Sequence, residues 1–103
     1  EKNENIFEVG SLKLNKNKSE VLIDGNYVDL TKQEFNILEL LATSNGDFVT
    51  PEEFLEKTWE KTNVSTAAVD IAMFRLRQKL SKYKKGSNLI KNKTGKGYLL
   101  NAS

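Results

Sequence analysis

Side chains that could carry out catalysis are scarce in this chain of 103 residues. It contains no His and no Cys, so the usual general base, the thiolate nucleophile and the commonest metal ligands are missing. Carboxylates lie close together at Glu52, Glu53 and Glu56, within five residues after Pro51. Such a cluster is typical of a solvated helix face near a helix N-terminus. We therefore expect no enzymatic activity, no metal site and no cofactor.

The charged residues are divided unevenly between the two ends of the chain. Residues 1–70 contain all fourteen acidic residues and seven basic ones, a charge of −7, whereas residues 71–103 contain nine basic residues and no acidic one, a charge of +9. The net charge of +2 hides this asymmetry. A domain with one cationic end is suited to a polyanion, and nucleic acid is the commonest polyanion.

Two arginines have the side-chain chemistry for contacting bases. Fourteen of the sixteen basic residues are Lys, and the exceptions are Arg75 and Arg77. A guanidinium group can bind a guanine edge through two hydrogen bonds, whereas a lysine ammonium is a point charge suited to phosphate. Arg75 is therefore the first candidate for base contact, and for Arg77 a structural or phosphate-binding role is favoured.

The length fits one domain, and residues 1–30 predict a small sheet at its start. Four short apolar stretches follow one another there, and Asp24-Gly25 is a turn signal before the last of them. No apolar run is long enough to span a bilayer, and nothing indicates a secretion signal. The chain begins at Glu1, and we expect it to be a piece of a longer protein.

Residues 31–85 predict three helices. Thr31 and Glu34 form a capping-box pattern at the start of the first, which Asn45-Gly46 should end. Thr50-Pro51 starts the second helix. The third and longest begins at Ser65 or Thr66 and should continue to the stretch at residues 84–87. Its buried stripe is spaced four and three residues apart: Val69, Met73, Leu76, Leu80 and Tyr83.

The face of the third helix opposite this stripe is expected to be Ala67, Ile71, Phe74 and Gln78. An alternative remains open, in which the helical phase differs by one residue and Ile71 or Phe74 packs against the sheet or the hairpin. Residues 89–100 predict that hairpin, with two glycines in its turn, Gly95 and Gly97. The prediction is an α+β fold: a winged helix-turn-helix with an N-terminal four-stranded antiparallel sheet, three helices and a C-terminal β-hairpin wing. Its third helix would enter the major groove of DNA.

Several spaced motifs support this fold and cover nearly the whole chain: Leu30-Thr31-x-x-Glu34-Phe35-x-x-Leu38, Trp59, Val69-Asp70-x-x-x-x-Arg75-Leu76-Arg77-x-Lys79-Leu80 and Gly95-x-Gly97-Tyr98. They resemble the effector domain of response regulators of the OmpR/PhoB family. The resemblance implies a bacterial, cytoplasmic transcription regulator with an upstream receiver domain that a histidine kinase phosphorylates. It also implies head-to-tail binding of two copies to direct repeats of double-stranded DNA.

The resemblance assigns roles to individual residues. Those expected to contact DNA from the recognition helix are Asp70, Ile71, Phe74, Arg75, Arg77, Gln78, Lys79 and Lys82. Those expected to contact it from the wing are Lys91, Lys93, Thr94, Lys96 and Tyr98. Contacts to the DNA backbone are expected from Trp59, Ser65 and Thr66. The segment that can touch RNA polymerase in family members corresponds to Glu60, Lys61, Thr62, Asn63 and Val64.

The chain departs from the family pattern where family members often carry Arg. Ala67, Pro51 and Thr94 stand at such positions, and Ile71 and Phe74 make the groove face unusually apolar. We therefore hypothesise that few G·C pairs are read by hydrogen bonds. Thymine methyl groups and the shape of A·T-rich DNA would carry the preference instead.

Two alternative functions remain open. One is a winged-helix module that binds protein or RNA, which would show little dependence on duplex DNA. The other is the effector domain of a one-component regulator, including membrane-anchored types. We expect no membrane contact by this domain itself.

Overall fold

The computed structural model of the protein describes residues 5–44, 46–59, 64–83 and 89–101. Within them the elements follow the predicted order: β1 (Ile6–Val9), β2 (Leu12–Asn15), β3 (Glu20–Ile23), β4 (Asn26–Val28), α1 (Lys32–Thr43), α2 (Pro51–Thr58), α3 (Thr66–Leu80), β5 (Ile90–Lys93) and β6 (Gly97–Leu100). The predicted winged helix-turn-helix with an N-terminal sheet is confirmed.

The first four strands form one antiparallel sheet in the order β1-β2-β3-β4. Asp24 and Gly25 make the turn between β3 and β4, and both have positive φ, 52° and 85°, as the tight turns of hairpins require. Alternate residues of the inner strands β2 and β3 are buried, and so is the last residue of the edge strand β4: Leu12, Leu14, Val21, Ile23 and Val28. This buried face of the sheet belongs to the hydrophobic core that the helices complete.

The helix starts follow the predicted capping chemistry. The Thr31 hydroxyl accepts a hydrogen bond from the Glu34 backbone N–H, and the Glu34 side chain in turn accepts one from the Thr31 N–H. The Thr50 hydroxyl accepts from the Glu53 N–H, and Pro51 opens α2. At the starts of α1 and α2, backbone N–H groups thus find side-chain partners within the same turn, as the capping patterns in the sequence predict.

The end of α3 differs from the prediction. The helix stops at Leu80 rather than near residue 84, so Lys82 and Tyr83 follow it in a turn. The Ser81 N–H donates to the Arg77 carbonyl, and the Tyr83 hydroxyl donates to the Tyr27 carbonyl of β4 at 2.9 Å. Tyr83 thus lies beyond the helix and is not part of its buried stripe. Its hydrogen bond connects the segment after α3 to the sheet. Residues 84–88 lie outside the described part.

Three helices and the wing share one core. It is formed by Phe35, Ile37, Leu38 and Leu41 of α1, Phe54 of α2, Val69, Met73, Leu76 and Leu80 of α3, and Leu89, Ile90, Tyr98 and Leu100 at the wing. The stripe on α3 predicted from the 4-3-4 spacing is confirmed over its helical part. Because this stripe is fully buried, the rest of the α3 circumference is left for solvent or a ligand.

Candidate nucleic-acid interface

The outward face of α3 carries the residues that the helical phase placed there. Ile71 is 56% exposed and Phe74 is 62% exposed, whereas Val69 and Met73 are buried. The alternative phase, in which Ile71 or Phe74 packs against the sheet or the wing, is therefore wrong. Ala67 and Gln78 are exposed on the same face.

Cations lie on both edges of this face. On the side of α1, Arg75 and Lys82 line an open cleft of about 630 Å³ together with Gln78 and the start of α1 at Thr31. On the side of the wing, Arg77 lies two helical turns after Asp70, whose Oδ1 accepts a hydrogen bond from the Tyr98 hydroxyl. The arginines thus occupy opposite edges of the helix face.

Lys79 has a partner within the fold. Its Nζ lies 2.7 Å from Oε1 of Glu34, which is buried at the start of α1. Burial alone would raise the pKa of the Glu34 carboxyl, but the Lys79 ammonium and the hydrogen bonds from Thr31 hold that pKa below its ordinary value of 4.5. The ion pair joins the capping box of α1 to α3. Any contact between Lys79 and a DNA phosphate has to compete with the Glu34 ion pair. That DNA contact stays a prediction.

The wing is fastened to the core through the segment between α1 and α2. The Val49 N–H donates to the Tyr98 carbonyl at 2.7 Å, and the Tyr98 N–H donates to the Val49 carbonyl at 3.0 Å. Gly97 stands next to this bridge with φ +110°, and a Cβ on it would meet the Val49 carbonyl oxygen at 2.2 Å. The second glycine of the wing motif is therefore required by a close backbone approach. The sequence showed the glycine but not its neighbour Val49.

Tyr98 also connects the wing to α3. Its ring is buried and packs edge-on against Phe54, with 6.2 Å between ring centroids. Its hydroxyl donates to Oδ1 of Asp70, and burial together with the Asp70 carboxylate raises the pKa of Tyr98 to about 12. The hydroxyl therefore keeps its proton at neutral pH. The sequence predicted that Asp70 and Tyr98 would each contact DNA, and it gave no sign of the bond between the two.

The lysines of the wing point away from the core. Lys91, Lys93, Thr94 and Lys96 are all exposed. Lys96 Nζ lies 5.8 Å from the centroid of the Phe48 ring, a cation–π contact that sequence reasoning did not foresee. Lys93 and Lys96 line a cavity that also includes Asp70 of α3. Helix α3 and the wing therefore border one common surface rather than opposite sides of the molecule.

The remaining predicted contacts lie at the ends of α2 and α3. Trp59 caps α2 and packs half-buried against the core. Ser65 caps α3 through its backbone alone and is exposed, whereas Thr66 is half-buried. Of the predicted polymerase-contact segment, Val64 is half-buried, and Glu60, Lys61, Thr62 and Asn63 lie outside the described residues.

The described residues offer no grouping of three or more His, Cys, Asp or Glu side chains suited to a metal ion. Within that same part of the chain, every helix is too short or too polar to cross a membrane. The surface shared by α3 and the wing is thus defined by cations, two exposed apolar side chains and hydrogen-bonded connections to the core.

Comparison with known proteins agrees with this geometry. Residues 25–100 match the family model described as transcriptional regulatory protein, C terminal. The probable transcriptional regulator ycf27 of Galdieria sulphuraria is 35% identical over 100 residues, which cover 94% of this chain and 39% of that protein. The chain thus spans about two fifths of the length of the curated relatives it matches.

Solved structures show the same fold. The DNA-binding domain of CpxR from E. coli superimposes with a TM-score of 0.79 at 35% identity, covering 95% of this chain and 98% of that one. The DNA-binding domain of RstA from Klebsiella pneumoniae, solved in complex with the RstA box, gives a TM-score of 0.82 at 29% identity over 95% and 98% of the two chains. The family match, the four-stranded sheet and the wing together show that the chain belongs to the C-terminal effector domains of OmpR/PhoB-type transcriptional regulatory proteins.

Proposed function

We propose that this domain binds double-stranded DNA in a sequence-specific manner and thereby regulates transcription. The observation that carries the proposal is that Asp70 of α3 and two lysines of the wing, Lys93 and Lys96, line one cavity. Arg75 and Arg77 are exposed on the same helix. The solved complex of the related RstA domain with its DNA box supports this use of the fold.

In this proposal α3 enters the major groove, which admits one α-helix. Arg75 contacts a base edge, Arg77 a phosphate or a base, and Lys93 and Lys96 of the wing contact phosphates or the adjacent minor groove. Trp59, Ser65 and Thr66 lie at the ends of α2 and α3, where they would meet the DNA backbone. Phosphate contacts set the position of the domain, and the α3 contacts supply sequence preference.

The domain would act within a longer response regulator. An upstream receiver domain, phosphorylated by a histidine kinase in the cytoplasm, would control how two copies bind head to tail on direct repeats. The segment at residues 60–64 would then face RNA polymerase. The length of the relatives, of which this chain matches about two fifths, supports a further domain.

Salt dependence tests the proposal directly. Fluorescence anisotropy with labelled duplexes should show log Kd rising linearly with log salt, with a slope of roughly 0.9 per neutralised phosphate. Lys96→Ala should lower that slope by about one unit and weaken all sequences alike. Lys13→Ala removes an exposed lysine of β2 on the sheet and is the matched control. Retention on duplex that does not depend on ionic strength would refute the proposal.

A further inference from the structure

The outward face of α3 has an apolar centre. Ile71 and Phe74 are one helical turn apart and both more than half exposed, and neither belongs to the core cluster. Among the described residues the other large hydrophobic side chain left exposed is Tyr27, on the sheet. Two such side chains in adjacent turns form an apolar patch that core packing does not explain.

Cations border this patch rather than interrupt it. Arg75 and Lys82 lie on the α1 edge with Gln78 beside them. Arg77 lies on the wing edge, two helical turns after Asp70, which bonds to Tyr98 of the wing. In a DNA major groove the walls are phosphates and the floor is formed by base edges. A helix with cationic edges and an apolar centre therefore fits this groove. Its cations would face the phosphates of the walls, and its apolar side chains would face the base edges of the floor.

The floor of the major groove offers one apolar substituent, the C5-methyl group of thymine. We propose that Ile71 and Phe74 determine specificity by packing against thymine C5-methyl groups, with Gln78 next to them binding an adenine edge. This inference rests on the proposed DNA binding. It specifies which chemical groups of the bases α3 would recognise. Gln is suited to adenine because it can exchange two hydrogen bonds with N6 and N7.

Deoxyuridine tests the inference, because it lacks the thymine methyl group and keeps the same base pairing. A bound duplex is first selected from random sequences with this domain, and each thymine is then replaced singly by deoxyuridine. We expect Kd to rise about fourfold at two or more positions, which corresponds to the roughly 0.8 kcal/mol of one buried methyl group.

Variants connect the effect to the two side chains. Phe74→Ala should bind the parent duplex more weakly, and at one thymine position deoxyuridine should no longer raise its Kd. Ile71→Ala should lose the deoxyuridine effect at a different thymine position. Tyr27→Ala removes an equally exposed aromatic side chain from the sheet and should keep every response. Because the side chains of Ile71, Phe74 and Tyr27 are largely exposed, all three variants should melt close to the parent temperature.

Two results would overturn the inference while leaving DNA binding intact. One is equal affinity for the parent duplex and for every deoxyuridine duplex. The other is a full set of deoxyuridine responses retained by both Phe74→Ala and Ile71→Ala. Failure to bind any duplex at low salt would instead refute the proposed function itself, so the two failures are distinguishable.

Discussion

Replacing Gly97 by alanine is expected to separate the wing from the core. The added Cβ would lie 2.2 Å from the Val49 oxygen, 2.8 Å from the Val49 carbonyl carbon and 3.0 Å from the Thr50 Cα. All three are backbone atoms, which cannot rotate away as a flexible side chain would. Relief of the clash therefore requires the Val49 and Tyr98 backbones, joined by hydrogen bonds of 2.7 and 3.0 Å, to move apart.

The size of the expected loss in the free energy of unfolding follows from these contacts. A non-glycine residue at positive φ costs roughly 1–2 kcal/mol, and two lost hydrogen bonds add about 1 kcal/mol each. Gly97→Ala should therefore lower the free energy of unfolding by about 3–4 kcal/mol. Gly95→Ala is the matched control: Gly95 has φ +84° but nothing within 4 Å of the added Cβ, so its loss should be about 1–2 kcal/mol.

Urea denaturation, followed by the fluorescence of the single tryptophan Trp59, measures both losses under a two-state treatment. Anisotropy with duplex DNA adds a second measurement, because a displaced wing can no longer place its lysines beside α3. Free energies of unfolding for Gly97→Ala and Gly95→Ala that agree within about 0.5 kcal/mol would refute the reasoning, because the Val49 contact would then carry no energy.

Three further predictions concern the connections of α3. Glu34→Gln keeps a capping side chain but removes the charge opposite Lys79, so it should lower the free energy of unfolding by about 1 kcal/mol at pH 7. Because the folded pKa of Glu34 is depressed below 4.5, the difference from the parent should shrink as pH falls below that value, and a difference independent of pH would contradict the ion pair. The pKa of Tyr98 is raised from 10.0 to about 12, so the parent should lose stability between these pH values because the unfolded chain ionises first. Tyr98→Phe should not show that loss, and equal alkaline profiles would exclude the Asp70 bond. Arg75→Ala should cost about 1–3 kcal/mol of DNA-binding free energy and blur sequence preference in a selected-binding assay, and unchanged affinity and preference would show that Arg75 does not read a base.

Much of the architecture was predictable because the sequence patterns that indicate its turns and helices involve residues close together in the chain. The turn at Asp24-Gly25 and the helix caps at Thr31 and Thr50 depend on residues within four positions of one another, and the α3 stripe depends on one helical period. The same period placed Ile71 and Phe74 on the outward face. The end of α3 was harder to predict, because Tyr83 continues the apolar spacing while its hydroxyl bonds to the Tyr27 carbonyl of the sheet.

The sequence by itself determined the separation of charge along the chain, the order of the elements and the set of cations available to a polyanion. Only the tertiary structure decided how some of these side chains are engaged. Lys79 pairs with Glu34 across 45 positions, and Tyr98 bonds to Asp70 across 28. No periodic pattern encodes such distant pairs, because they arise from how helices and wing pack around the core.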